Sequence, residues 1–126
     1  MQDTDVCLLC DQSLETLDHL LLGCVFSREL WSAVLRKLHL DHAISVSYDN
    51  IFVWWLRERK SVPKIARSGF DSLFFLISWS IWKESNARTF GGPSTQPANL
   101  LPRIVLEAQE WSLAGYRKLS TLLLLL

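Results

Sequence analysis

The chain has 126 residues, of which 49% are hydrophobic and 21% charged, with 13 basic residues against 13 acidic ones. That length and composition fit one folded domain and exclude the polar, highly charged corner where chains stay disordered. Formal neutrality also excludes nucleic-acid binding by bulk charge alone, so any such contact must be local.

Charge is unevenly spread. Residues 1–50 carry 3 basic and 8 acidic groups, residues 51–90 carry 7 and 3, and residues 91–126 carry 3 and 2. The three cysteines all fall within the first 24 residues and cannot close a disulfide framework, and no signal-like leader precedes them. An intracellular, reducing setting is expected. No run of about 20 apolar residues is present, so no membrane span is expected.

In chain order, the first feature is Cys7, Cys10, His19 and Cys24, in the pattern C-x2-C-x8-H-x4-C. A C-x2-C turn brings two thiolates together, and a second element carrying His and Cys completes a tetrahedral, all-protein Zn²⁺ site with no open position, hence structural and not catalytic. Thr16 is the expected N-cap of a short helix carrying His19, with Leu17, Leu20 and Leu21 facing inward. His19 and Cys24 are five apart and diverge by about 140° on an α-helix, so the helix must break between them, at Gly23. The competing readings are buried structural thiols beside a surface histidine, or a Cys–His nucleophile pair of Cys10 or Cys24 with His19. His39 and His42, three apart at the polar end of a helix, are expected to be solvated.

Apolar spacing then reads as helix nearly throughout. Leu30, Trp31, Val34, Leu35 and Leu38 form one stripe, with Arg36 and Lys37 turned away. Asn50 is the expected N-cap of a short helix, 51–59, ended by Ser61-Val62-Pro63. From Pro63 to about Thr89 one long apolar helix is expected, with Ala66, Phe70, Phe74, Ile77 and Ile81 as its stripe. Leu73, Leu76, Trp79 and Trp82 widen it so far that it should be covered on most sides. Gly91-Gly92-Pro93-Ser94 breaks it. A last helix starts near Asn99, with Pro102 in its first turn, and buries Leu101, Ile104, Val105, Ala108 and Trp111. The expected architecture is all-α: a zinc knuckle followed by a bundle of about four helices, divided as the knuckle over 1–26, a helical region over 27–90 packed on it, and a linker with a C-terminal helix over 91–126.

The run Cys7-Leu8-Leu9-Cys10, Glu15-Thr16, His19-Leu20, Cys24, Phe26-Ser27-Arg28 and Leu30-Trp31 resembles the zinc-binding domain that follows the reverse transcriptase of plant non-LTR (LINE-type) retrotransposons. Gly69-Phe70-Asp71-Ser72-Leu73, Trp79-Ser80-Ile81-Trp82-Lys83-Glu84 and Asn86-Ala87-Arg88-Thr89-Phe90 resemble the tail of the same open reading frames. Ser85 departs from that tail, which more often has arginine there. The resemblance implies that Cys7, Cys10, His19 and Cys24 ligate zinc in a module of a polymerase that copies its RNA into the genome. The paired-aspartate polymerase motif does not occur in these residues, so the chain reads as a non-enzymatic fragment or degraded copy.

Two partner classes follow. Trp54 and Trp55 beside Arg57, Arg59, Lys60, Lys64 and Arg67 suggest RNA or DNA, with aromatics stacking on bases and cations on phosphate. The knuckle itself is a poor phosphate site, because three thiolates and one Zn²⁺ leave a net −1 beside Asp3, Asp5, Asp11, Glu15 and Asp18. Alternatively the module serves protein interaction, docking on the reverse transcriptase or on itself through apolar helix faces.

Overall fold

The computed structural model describes residues 7–10, 16–37, 50–92 and 94–113. Among them all regular structure is helical and no strand occurs. A short wide turn, His19–Gly23, leads into α1 (Val25–Lys37), followed by α2 (Ile51–Arg59), α3 (Arg67–Thr89) and α4 (Pro97–Leu113). Leu38, His39, His42, the turn before Asn50 and the leucine run at 122–126 lie outside the described residues.

Each boundary has a local cause. Asn50 caps α2 as expected: its backbone is extended and its side chain accepts the Val53 N–H at 2.8 Å. Pro63 opens a single tight turn, Lys64–Ala66, before α3 proper begins at Arg67. At the other end of α3 the chain stops in a hydrogen-bonded loop in which Gly92 N–H reaches Ala87 O (2.8 Å) and Gly91 N–H reaches Arg88 O (3.2 Å). Gly91 sits at φ 76°, where a side chain would be strained, and a Cβ on Gly92 would lie 3.0 Å from Ala87 O. Two consecutive glycines therefore suit this stop. The last helix begins earlier than the sequence suggested, with Pro97 and not Pro102 in its first turn. Gln96 O accepts from Asn99 and Leu100, so the turn closes ahead of Pro97, and Pro102 falls inside the helix on its exposed side. The buried stripe of α4 is accordingly Leu100, Ile104 and Ala108, with Leu101 and Trp111 only partly covered.

The core is aromatic at its centre. Trp31 of α1 meets Trp54 of α2 edge-on at 5.0 Å and stacks near Phe74 of α3 at 5.7 Å. Such pairs add about 0.5–1.5 kcal/mol each beyond the apolar area they bury. Leu30, Leu35, Ile51, Leu73, Leu76, Ile77, Ile81 and Ile104 close around them. α3 packs against α2, α4 and the wide turn, and α1 packs against α4 and the wide turn.

The long helix is where expectation and structure part. Its main stripe is buried, as are Leu73 and Leu76, but Trp79 and Trp82 are 48% and 44% exposed and Phe75 is 51% exposed. It is an amphipathic helix with an aromatic outer face, not an apolar helix covered on most sides. Among the described residues, α2, α4, the wide turn and Trp31 of α1 pack on its inner side and leave Phe75, Trp79 and Trp82 half exposed. No described helix is long and apolar enough to cross a membrane.

Candidate metal centre

Four side chains from the amino-terminal arm converge. The ligand atoms of Cys7, Cys10, His19 and Cys24 all lie within 4.8 Å of one another, close enough to hold one metal ion. Cys7 Sγ is 3.8 Å from Cys24 Sγ, and Cys10 Sγ is 3.3 Å from His19 Nε2. Cys7 and Cys24 are fully buried, while Cys10 and His19 border solvent.

The wide turn solves the spacing problem differently from the break expected at Gly23. Thr16 caps the start, its Oγ1 accepting His19 N–H at 3.0 Å, and Leu20 N–H returns to Thr16 O at 2.8 Å. The next closure skips one residue: Cys24 N–H bonds His19 O at 2.6 Å, five residues back. A turn closed over five residues brings Cys24 back to the side of His19, which a regular α-turn would not do. Cys24 then adopts an extended backbone (ψ 140°) and ends the segment. Gly23 keeps a negative φ, so left-handed freedom is not what this glycine provides. Leu20, Leu21 and Leu22 are buried, whereas Leu17, expected inward, lies ahead of the widened turn and is 53% exposed.

Backbone amides point at the buried sulfurs. Cys7 receives hydrogen bonds from the backbone of Leu9 and Cys10, and Cys24 from Phe26 and Ser27. These favour the thiolate, yet burial outweighs them when no cation is near: it pushes the Cys7 thiol up and the Cys24 thiol up to about 12. As thiolates these sulfurs would need a counter-charge, which a metal ion held by the four side chains would supply.

Several polar ties lock the arm to the helices. Trp31 Nε1 donates to Leu21 O at 2.7 Å, and Ser27 Oγ donates to Leu20 O. Asp18, adjacent to His19, accepts Ile51 N–H at 2.9 Å and so joins the arm to the start of α2. The least anticipated tie is Arg88. Its side chain is 13% exposed, donates to Glu84 at 2.7 Å, reaches Leu8 O at 3.4 Å and Thr95 O at 3.0 Å, and lies 5.2 Å over the Phe26 ring. Glu84 also accepts Thr95 N–H at 2.9 Å. The only sequence signal for this hub was the i, i+4 spacing of Glu84 and Arg88, which ordinarily marks a weak surface pair.

The aromatic and basic cluster at 54–67 is not assembled as a base-stacking surface. Trp54 is fully buried between Trp31 and Phe74, so no base can stack on it while the core is intact. Trp55 is half covered, stacked on Phe74 at 5.2 Å with its Nε1 donating to Asp71 at 2.9 Å. Arg59 grips the same carboxylate at 3.0 and 2.8 Å. Arg67 donates to Arg59 O and Val62 O at 3.0 and 3.2 Å, at the C-terminal end of α2, and Arg57 pairs with Glu58 at 3.0 Å. The outer corner keeps Lys60 and Lys64 as exposed cations. Neighbouring tryptophans on a short helix point about 100° apart, so only one of two can face solvent fully.

No family model, curated protein or solved structure matches the chain.

Proposed function

We propose that this chain is a non-catalytic module in which structural Zn²⁺, held by Cys7, Cys10, His19 and Cys24, staples the amino-terminal arm onto a helical body whose outer surface serves interaction. Tetrahedral zinc with Zn–S bonds of about 2.3 Å sets S···S edges of about 3.8 Å and S···N edges of about 3.5 Å. The Cys7–Cys24 and Cys10–His19 separations of 3.8 and 3.3 Å support that geometry. Three thiolates and an imidazole favour zinc over harder ions that prefer oxygen, and a fully protein-ligated set leaves no position for a reacting water. The carrying observation is the convergence of all four ligand atoms within 4.8 Å, with amides turned toward the two buried sulfurs.

The resemblance of Cys7–Trp31 and Gly69–Phe90 to the zinc-binding tail of LINE-type reverse transcriptases supports a retrotransposon origin for the module. Elemental analysis of the purified chain tests the centre. About one zinc per chain is expected, falling with Cys10→Ser; a metal-free protein, or one retaining full zinc in that variant, rejects the reading.

Nucleic-acid contact is the second reading, favoured by the cation excess where α2 meets α3. With Trp54 in the core, that contact reduces to phosphate at Lys60, Lys64 and the outer part of Arg57. Replacing both lysines by alanine should lower the salt slope of RNA or DNA binding by about 2; an unchanged slope removes this surface.

A further inference from the structure

The outer face of α3 has an order of its own. Ser68, Ser72, Phe75, Trp79, Trp82 and Asn86 follow one another at alternating steps of four and three residues. This is the spacing of the a and d positions of a coiled-coil seam, the pattern one helix presents to another. It lies on the side of α3 away from the core: Ser68 and Asn86 are exposed, Ser72 partly so, and the three aromatics are about half exposed. None of the six carries a charge. The charged residues at its edges are held by this chain's own partners, Asp71 by Arg59 and Trp55, and Lys83 by Glu107 at 3.3 Å. Ser72 Oγ already donates to Ser68 O at 3.1 Å, so covering it strands no donor.

From this seam we infer that the chain pairs with a second copy of itself through α3, with the two helices antiparallel. It deepens the interaction reading by naming the partner. The order of side-chain sizes selects both the occupant and the direction. In a parallel pair each residue meets its own copy, which sets Trp against Trp in two layers and leaves Ser against Ser in two others. In an antiparallel pair centred between Phe75 and Trp79, Phe75 faces Trp79 of the second copy and Trp82 faces Ser72. Ser68 faces Asn86, closing both ends with polar layers. Trp82 meets the small Ser72 and the two central layers pair unlike rings, so no layer sets a tryptophan against its own copy. Trp79 and Trp82 are already stacked on each other, at 5.1 Å and 16°, so the aromatic surface is ordered before pairing.

The area fits a weak, transient dimer. Three half-exposed aromatics offer roughly 300 Å² per copy. Two copies then bury about 600 Å², at the low end for transient contacts, so the pairing should show only at high protein concentration.

The test is sedimentation of the full zinc-loaded chain across a concentration series, with helicity and zinc content measured on the same samples. A reversible species of twice 14.5 kDa is expected. Trp79→Lys should weaken it by about thirtyfold or more, with helicity and zinc unchanged. Ser72→Trp should weaken it by about tenfold, because two tryptophans then compete for one layer. The double variant Ser72→Trp/Trp82→Ser restores one large and one small residue to each such layer and should recover affinity to within about threefold. A wild-type monomer throughout the series overturns the inference, as does a dimer indifferent to Trp79→Lys. Failure of the double variant to recover overturns the antiparallel register. Zinc loss reports separately on the metal reading, since the seam contains none of the four ligands.

Discussion

The amino-terminal arm and the helical body are held by different physics. The arm brings four ligand atoms together and reaches the body both through the buried Leu20, Leu21 and Leu22, packed against α1 and α3, and through directional bonds from Trp31, Ser27, Arg88 and Asp18. The body is held by non-directional burial around Trp31, Trp54 and Phe74, which tolerates small displacements as long as volume is filled. Removing a cation should therefore release the arm while leaving the body, whereas removing a core ring should weaken both, because Trp31 belongs to both.

Metal removal is the largest expected effect. Structural zinc contributes about 10–16 kcal/mol of apparent binding free energy in small peptides at neutral pH. Chelation should abolish amide-exchange protection over residues 7–24 and leave most of the helical circular dichroism of α1 to α4. Complete loss of helicity would show that the body cannot stand without the arm.

Trp31→Ala comes next, with an expected loss of about 3–5 kcal/mol in urea unfolding, since it opens the aromatic centre and strands Leu21 O. Unfolding of arm and body should remain a single transition shifted to lower urea; a shift confined to one region would separate them. Arg88→Met should cost about 3 kcal/mol, because it leaves Glu84 buried without its cation and cuts the tie to Leu8. A cost below about 1 kcal/mol would place the hub among ordinary surface pairs.

The smallest effect is on the pH dependence. With metal bound, ligands are deprotonated and stability should fall as acid protonates them. Without metal the arm is released, so Cys7 and Cys24 leave the burial that raises them and that acid dependence should disappear. Thermal melts from pH 5 to 8 should fall with acid in the zinc-loaded form only; parallel profiles would mean the sulfurs do not change state with the metal.

Much of this is legible in the residues alone. Asn50 before Ile51, Thr16 before His19 and the Gly91-Gly92 stop are local signals whose hydrogen bonds close within five residues, and all three behave as their residue types dictate. The grouping of Cys7, Cys10, His19 and Cys24 was legible because that spacing has few other uses. What misled was width: Trp79 and Trp82 read as core because they are large and apolar, yet burial depends on what lies opposite, which no local pattern records. Leu17 misled in the same way, since it is large and apolar yet stays 53% exposed.

Helical periodicity, caps, stops and ligand chemistry reside in the chain itself, because each depends on atoms a few bonds or one helical turn apart. Convergence of four ligand atoms, the burial of Trp54 in place of Trp55, the Arg88 hub and the uncovered face of α3 were decided only when helices packed. Each of these turns on which surfaces meet across long sequence separations, and that follows from the competition of every apolar face for a limited number of neighbours.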